Sequence, residues 1–168
     1  MINIVLYEPE IPQNTGNIMR TCAGTYAKLH LIKPLGFSLN EKAIRRSGVN
    51  YIEHCDYKIY EDWADFINQN EGRYYFLTRY GQKTHTDVDY SNIEDNIYLI
   101  FGKESTGIPK EILKNHLDDC LRIPTNDNIR ALNLSNCVAL MLFEVLRQQD
   151  YPNLLKTEPF KGENYLID

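Results

Sequence analysis

LRIPTNDNIRALNLSNCVALMLFEVLRQQ, residues Leu121 to Gln149, is the stretch on which the reading of the chain turns. A short apolar strand, Leu121 to Ile123, passes through a polar, irregular turn into the longest apolar helix. Asn133 and Ser135 are both able to cap that helix, since either side chain can accept a hydrogen bond from an unpaired N–H of the first turn. Beyond them Leu134, Val138, Met141, Leu142 and Val145 recur at helical spacing, and Cys137 to Phe143 is apolar almost all round. Such a helix needs cover on more than one side, and in a short chain a second copy of the same protein can supply it.

Working outward, the remaining chain alternates strand-like and helix-like pieces. Ile2 to Tyr7 is a continuous apolar run, the pattern of a strand buried on both faces of a parallel sheet. Pro9 and Pro12 hold an extended loop, and Asn14 is placed to cap a helix to about Lys28, with Ile18, Cys22, Tyr26 and Leu29 on one face and Arg20 on the other. Leu29 to Ile32, Tyr74 to Thr78 and Ile97 to Phe101 read as further strands, and Tyr51 to Tyr60 is open between loop and a brief strand. Asn40 to Ser47 reads as a short basic helix, Glu61 to Gln69 as an outer helix presenting Trp63, Phe66 and Ile67, and Pro109 opens another where a missing N–H costs nothing. Arg79, Tyr80 and Gly81 form a turn, His85 to Asp95 is polar enough for loop, and Asp150, Tyr151 and Pro152 end the last helix. This alternation predicts an α/β fold, a mostly parallel sheet with helices on both faces.

Composition narrows the function classes. At 168 residues, 43% hydrophobic and 24% charged, the chain reads as one globular domain. A net charge of -5 provides no global basic field, so any nucleic acid must be held by a local patch. Cys22, Cys55, Cys120 and Cys137 form no Cys-x-x-Cys pair, and His30, His54, His85 and His116 fall into no ligand spacing, so neither a metal site nor a disulfide framework is expected. Without a leader-like amino terminus or an apolar run long enough to span a bilayer, the expected setting is the cytoplasm, with no membrane partner.

Three loops at the carboxyl ends of predicted strands, the edge where open α/β sheets bind ligands, carry the candidate chemistry. PEIPQNTGNIMRT, Pro9 to Thr21, offers helix-start amides to an anion and Arg20 as a two-pronged donor, or else a plain cap with a solvated arginine. IFGKESTGIP, Ile100 to Pro109, spaces its glycines like a phosphate cradle but lacks the Lys and Ser/Thr after the second one, leaving a ligand loop around Gly102 and Glu104 or a simple connection. IPTNDNIRALNLSN, Ile123 to Asn136, sets Arg130, Asn133 and Ser135 beside an apolar strand end, a seat for a flat heteroaromatic ring or an ordinary capped helix start.

Taken in order, Asn-x-Gly-Asn-Ile-x-Arg-Thr, Phe-Gly-Lys-Glu-Ser-x-Gly-Ile-Pro, and Ile-Pro followed by Asn-Leu-Ser-Asn resemble the three motifs of the SPOUT-class RNA ribose 2'-O-methyltransferases. The opening INIVLYEPEIPQNTGNIMR is most similar to their tRNA (cytidine/uridine-34-2'-O)-methyltransferase branch, and the resemblance runs from Met1 to about Pro152. It implies a single SPOUT domain over residues 1–168 with a carboxyl-terminal deep trefoil knot, S-adenosylmethionine as methyl donor with S-adenosylhomocysteine as product, no metal, and a homodimer acting on the tRNA anticodon stem-loop. Carried over by position, Arg20 is the catalytic arginine, and Leu77, Thr78, Gly102, Ile123, Ala131 and Leu132 hold the donor, largely through main-chain groups. Ala131 replaces a serine common in the class, which removes a hydroxyl contact but not a backbone one. Asn14, Asn17, Glu104, Arg130, Asn133 and Ser135 are implied to orient substrate or donor, and Lys42, Arg45 and Arg46 to offer a local basic patch or merely a solvated face. The rival functions are ribose methylation of another RNA, such as rRNA, and a non-catalytic RNA- or nucleotide-binding module on the same fold.

Overall fold

A computed structural model describes residues 1–39, 52–162 and 164–167. Seven parallel strands form one sheet in the order β3-β2-β1-β6-β4-β7-β5. They are β1 (Ile2–Tyr7), β2 (Lys28–Ile32), β3 (Tyr57–Tyr60), β4 (Arg73–Leu77), β5 (Lys83–Thr84), β6 (Ile97–Phe101) and β7 (Cys120–Arg122). The helices are α1 (Pro12–Thr25), α2 (Trp63–Gln69), α3 (Lys110–Leu113) and α4 (Leu134–Gln148). Because all seven strands run the same way, the loops after β1, β4, β6 and β7 emerge at one edge.

Side-chain alternation divides the core between the two faces of the sheet. Ile4, Leu6, Leu99 and Phe101 point to one face, where α1 and α4 cover them with Ile18, Cys22, Val138, Met141 and Val145. Val5, Tyr98 and Ile100 point to the other, where Trp63, Phe66 and Ile67 of α2 pack. That second face also buries His30, whose Nδ1 lies 2.8 Å from the Tyr60 hydroxyl and whose Nε2 lies 3.0 Å from Asn3 Oδ1. Asn3 turns its Nδ2 to the Ile97 carbonyl, so the ring nitrogen facing Oδ1 donates. Burial, more than the charges of Lys28 and Lys58, pushes His30 down to about 4.

The structure moves several predicted boundaries. Helix α1 opens at Pro12, with Ile11 in the cap position, so Asn14 lies inside the first turn and does not cap it. It ends at Tyr26, which takes a left-handed φ of 58° and is 78% exposed, so neither Tyr26 nor Leu29 belongs to the helix's buried face. The open stretch before Tyr60 contains β3, and β5 appears where only turn and loop were expected, because its two residues gain their pairing solely from β7. The predicted basic helix with Lys42, Arg45 and Arg46 lies outside the described residues. Among the described residues, no helix is long and apolar enough to cross a membrane.

Candidate active site

Hydrogen bonds between side chains and loop backbone lock the loops after β1 and β6 together. Glu104 accepts from the backbone N–H of Glu10 at 2.8 Å and of Ile11 at 3.1 Å, and from Asn14 Nδ2 at 3.0 Å. A carboxylate from a distant loop thus takes the amides at the start of α1, where the positive end of the helix dipole favours it. In return Glu10 accepts from the backbone N–H and the hydroxyl of Ser105, each at 2.9 Å, and these bonds hold its carboxyl below the usual range. Lys103 and Glu8 pair at 2.6 Å, which raises the lysine further. Beside them burial, with Glu8 adding to it, pushes Tyr7 up to about 12. The two amides just ahead of α1, those of Glu10 and Ile11, are therefore filled from within by Glu104 and are not open to an external anion.

Asn14 also ties in the loop after β7. Its Oδ1 accepts from Asn133 Nδ2 at 3.0 Å, while Asn133 Oδ1 caps α4 by accepting from the N–H groups of Ser135 and Asn136. The Ser135 hydroxyl donates to the same oxygen at 2.6 Å, so the cap is Asn133, with Ser135 in support. Asn14, 6% exposed, hydrogen-bonds to both other loops.

Between the three loops and the end of β4 lies a cavity of about 480 Å³, a size that suits a small-molecule ligand. Leu77, Phe101, Ile108, Ile123, Leu132 and Leu134 give it apolar walls. All six residues expected to hold the donor line it: Leu77, Thr78, Gly102, Ile123, Ala131 and Leu132. So do Asn14, Glu104, Arg130 and Asn133, although Asn14, Glu104 and Asn133 spend their polar atoms on one another and on nearby backbone amides. Arg20 and Asn17 lie on the exposed face of α1 and are not in the lining, nor is Ser135. Arg45 and Arg46 are outside the described residues.

Gly102 explains how the walls close. A Cβ there would fall 2.1 Å from the Gly107 carbonyl carbon and 2.3 Å from the Ile108 nitrogen, so only glycine lets the 103–107 loop fold back against the end of β6. Gly107 donates its N–H to the Lys103 carbonyl at 2.9 Å to close that loop. A flat heterocycle fits the apolar walls, and main-chain groups at the strand ends supply polar contacts, so a nucleoside-type methyl donor is compatible with the residues present. The sequence reading did not assign Arg79, Tyr80 and Arg122 to the site, yet all three line the mouth. Their one signal was position, immediately after or at the end of a strand that reaches this edge.

Known proteins agree with this geometry. The model of the SpoU rRNA Methylase family matches residues 1–143. A Listeria innocua protein provisionally named a tRNA (cytidine(34)-2'-O)-methyltransferase is 48% identical over 155 residues, 92% of each chain. A Yersinia pestis protein named tRNA (cytidine(34)-2'-O)-methyltransferase is 43% identical over 165 residues, covering 94% of this chain and 100% of its own. A solved structure described as giving insight into the 2-OH methylation of C/U34 on tRNA superposes with a TM-score of 0.83 at 36% identity, over 89% of this chain and 97% of the other. With a family match over most of its length and relatives of this similarity, the chain belongs to the SpoU rRNA methylase family.

Proposed function

We propose that the protein methylates the ribose 2'-OH of the wobble nucleotide of tRNA, cytidine or uridine 34, using S-adenosylmethionine bound in the cavity. One observation carries the reading: Asn14 joins loops 90 and 119 residues away into a single ligand-sized pocket, in a chain 43% identical to a relative named for this activity. When bound, the donor would supply an electrophilic methyl carbon to the 2'-oxygen, with S-adenosylhomocysteine as the leaving group and the hydroxyl proton passing to solvent. The protein's own task is alignment, since holding two reactants in near-attack geometry removes much of the entropic barrier.

In this reading Leu77, Thr78, Gly102, Ile123, Ala131 and Leu132 would hold the donor, largely through main-chain groups, and their shared place in the cavity lining supports it. Arg20 offers only N–H donors and no acceptor, so it is not a general base. It holds a substrate phosphate and steadies the charge that develops on the 2'-oxygen, a contribution of roughly 3 kcal/mol if it resembles one oxyanion-hole donor.

The assembly in this reading is a cytoplasmic homodimer of single-domain chains, paired through α1 and α4. Leu140 and Phe143 support it, being large apolar side chains 47% and 46% exposed on the outer face of α4, as does Tyr26 at the end of α1. Arg20, exposed on α1, then serves the cavity of the second copy. The carboxyl-terminal third is read as a deep trefoil knot. The strand order, with β6 between β1 and β4 and β7 between β4 and β5, is compatible with such threading.

Mapping of ribose methylation by mass spectrometry, in RNA from cells with and without the gene, tests the proposal. Loss of 2'-O-methylation at tRNA position 34 is the expected result. Intact position 34 with a lost rRNA methyl group would transfer the activity to ribosomal RNA, and an unchanged methylation map would leave only a binding module.

A further inference from the structure

The cavity mouth runs against the chain's overall charge. Of the residues lining it, Arg79, Lys103, Arg122 and Arg130 are cationic and Glu104 alone is acidic, in a chain of net charge -5. Glu104 is occupied by the start of α1 and Lys103 by Glu8. Among the described residues, Arg79, Arg122 and Arg130 have no carboxylate partner. Together they form a local basic rim within an acidic protein.

Among these arginines stands an aromatic ring that no buried contact requires. Tyr80 is 67% exposed, yet its turn is fixed. Its N–H donates to the Thr78 hydroxyl at 3.3 Å, and the Gly81 N–H donates to the Thr78 carbonyl at 3.2 Å. Thr78 is itself pinned to β7 through the Leu121 carbonyl at 2.9 Å. Gly81 presses so closely on β7 that a Cβ would lie 2.5 Å from the Leu121 carbonyl carbon. The ring is oriented as well as anchored. Arg79 donates to the Tyr80 hydroxyl at 2.8 Å and sets its guanidinium carbon 4.8 Å from the ring centroid. An exposed aromatic held rigidly beside unpaired arginines matches the way single-stranded nucleic acid is gripped, with bases on rings and phosphates on cations.

We propose that the Arg79–Tyr80 pair is a stacking platform for a nucleobase of single-stranded RNA at the cavity mouth, with Arg122 and Arg130 taking the neighbouring phosphates. The proposal rests on the reading of the cavity as an RNA-methylating site and adds the residues that position the loop over it. A stacked base is sequence-tolerant, so Tyr80 sets affinity and register and leaves base identity to other contacts. Arg122 and Arg130 contribute the salt-dependent part of binding.

The test uses the full chain with S-adenosylhomocysteine present and a fluorescent tRNA anticodon stem-loop as probe, and reads the dissociation constant by anisotropy at several salt concentrations. Tyr80→Ala is expected to weaken RNA binding about tenfold or more. Tyr80→Phe, which keeps the ring, should stay within about threefold of the wild type. Arg122→Ala and Arg130→Ala should each lower the slope of log affinity against log salt by about one. Affinity for S-adenosylhomocysteine, measured separately by calorimetry, should be the same in both Tyr80 variants as in the wild type.

Wild-type RNA affinity in Tyr80→Ala overturns the platform. So does a parallel loss of S-adenosylhomocysteine binding, which would place the ring over the donor, or a change in oligomeric state, which would place it against another copy. A wild-type chain without affinity for the stem-loop overturns it too. Since binding is read without turnover, a chain that binds the stem-loop through Tyr80 but does not methylate it refutes the proposed activity and leaves the platform standing.

Discussion

Asn14 Nδ2 lies 3.0 Å from Glu104 Oε1, and the same asparagine's Oδ1 receives a hydrogen bond from Asn133. A buried side-chain amide thereby links the start of α1, the loop after β6 and the cap of α4. Its two ends use the two capacities an amide has, donor to a carboxylate and acceptor from another amide, so the joint is specific for asparagine.

Asn14→Ala should cost about 1–3 kcal/mol of stability, because it strips Glu104 of one donor and leaves Asn133 Nδ2 without its acceptor. Asn14→Asp should cost more, since it sets a second carboxylate against Glu104. Urea unfolding checks both through a lowered midpoint at unchanged slope. A midpoint equal to the wild type would mean that the loops hold together without this residue.

Gly102→Ala should abolish donor binding and destabilise the fold by about 3 kcal/mol or more, because the clash at 2.1 Å is with backbone that has nowhere to move. Gly107→Ala should be milder, about 1–2 kcal/mol, since its added Cβ meets open space and the cost is the left-handed φ of 76° alone. Calorimetric titration with S-adenosylhomocysteine, beside thermal melts, separates the two. Equal effects would refute the steric account of the loop.

Stability should fall with acid over a defined interval. His30 is pushed down to about 4 in the folded chain, against about 6.5 when unfolded, so between these values the unfolded chain binds a proton that the folded one refuses. The stabilisation is whole above about pH 6.5 and is lost as pH falls towards 4, by roughly 3 kcal/mol at the lower end. Chemical denaturation from pH 7 to 4 measures it. A His30→Gln variant, less stable throughout, should show the dependence flattened in this window.

The dimer reading predicts that Phe143→Glu, which places a charge on the exposed apolar side of α4, yields a monomer in sedimentation. It also predicts complementation. Arg20→Ala, with near-normal donor affinity but methylation slowed about a hundredfold or more, should regain activity when re-assembled with Gly102→Ala. Random pairing restores about a quarter of the wild-type rate, because half of the dimers are mixed and each has one intact site. No recovery would place Arg20 in the cavity of its own protomer.

Much of this architecture is written in local pattern. The unbroken apolar runs of β1 and β6 and the cap at Asn133 mark elements whose signal lies within a few residues. β5 carries no such signal, since Lys83 and Thr84 become a strand only by pairing with Leu121 and Arg122. Helix α1 misled for a similar reason. Asn14 is a good cap by type, but its partners stand 90 and 119 residues away, and Pro12 had already opened the helix. Local rules saw a capping side chain where the fold uses a clasp.

The site divides in the same way. The family resemblance pointed to Leu77, Gly102, Ile123, Ala131 and Leu132, which line one cavity, and each sits at a strand end or in the loop beyond one. Glu104 looked like a free carboxylate for a ligand and is instead the counter-charge to the start of α1. Arg130 was legible beside Ile123, but Arg79 and Arg122 were not, because they are 43 residues apart in sequence and converge only when β4 and β7 lie side by side.

The central claim is that a 2'-hydroxyl on nucleotide 34 receives the methyl group. Purified protein, S-adenosylmethionine labelled in its methyl carbon, and two anticodon stem-loops identical except for a 2'-deoxyribose at position 34 test it directly. Label should enter the ribose of nucleotide 34 in the first stem-loop and be absent from the second. Equal labelling of both, or label recovered in a base, would contradict the account.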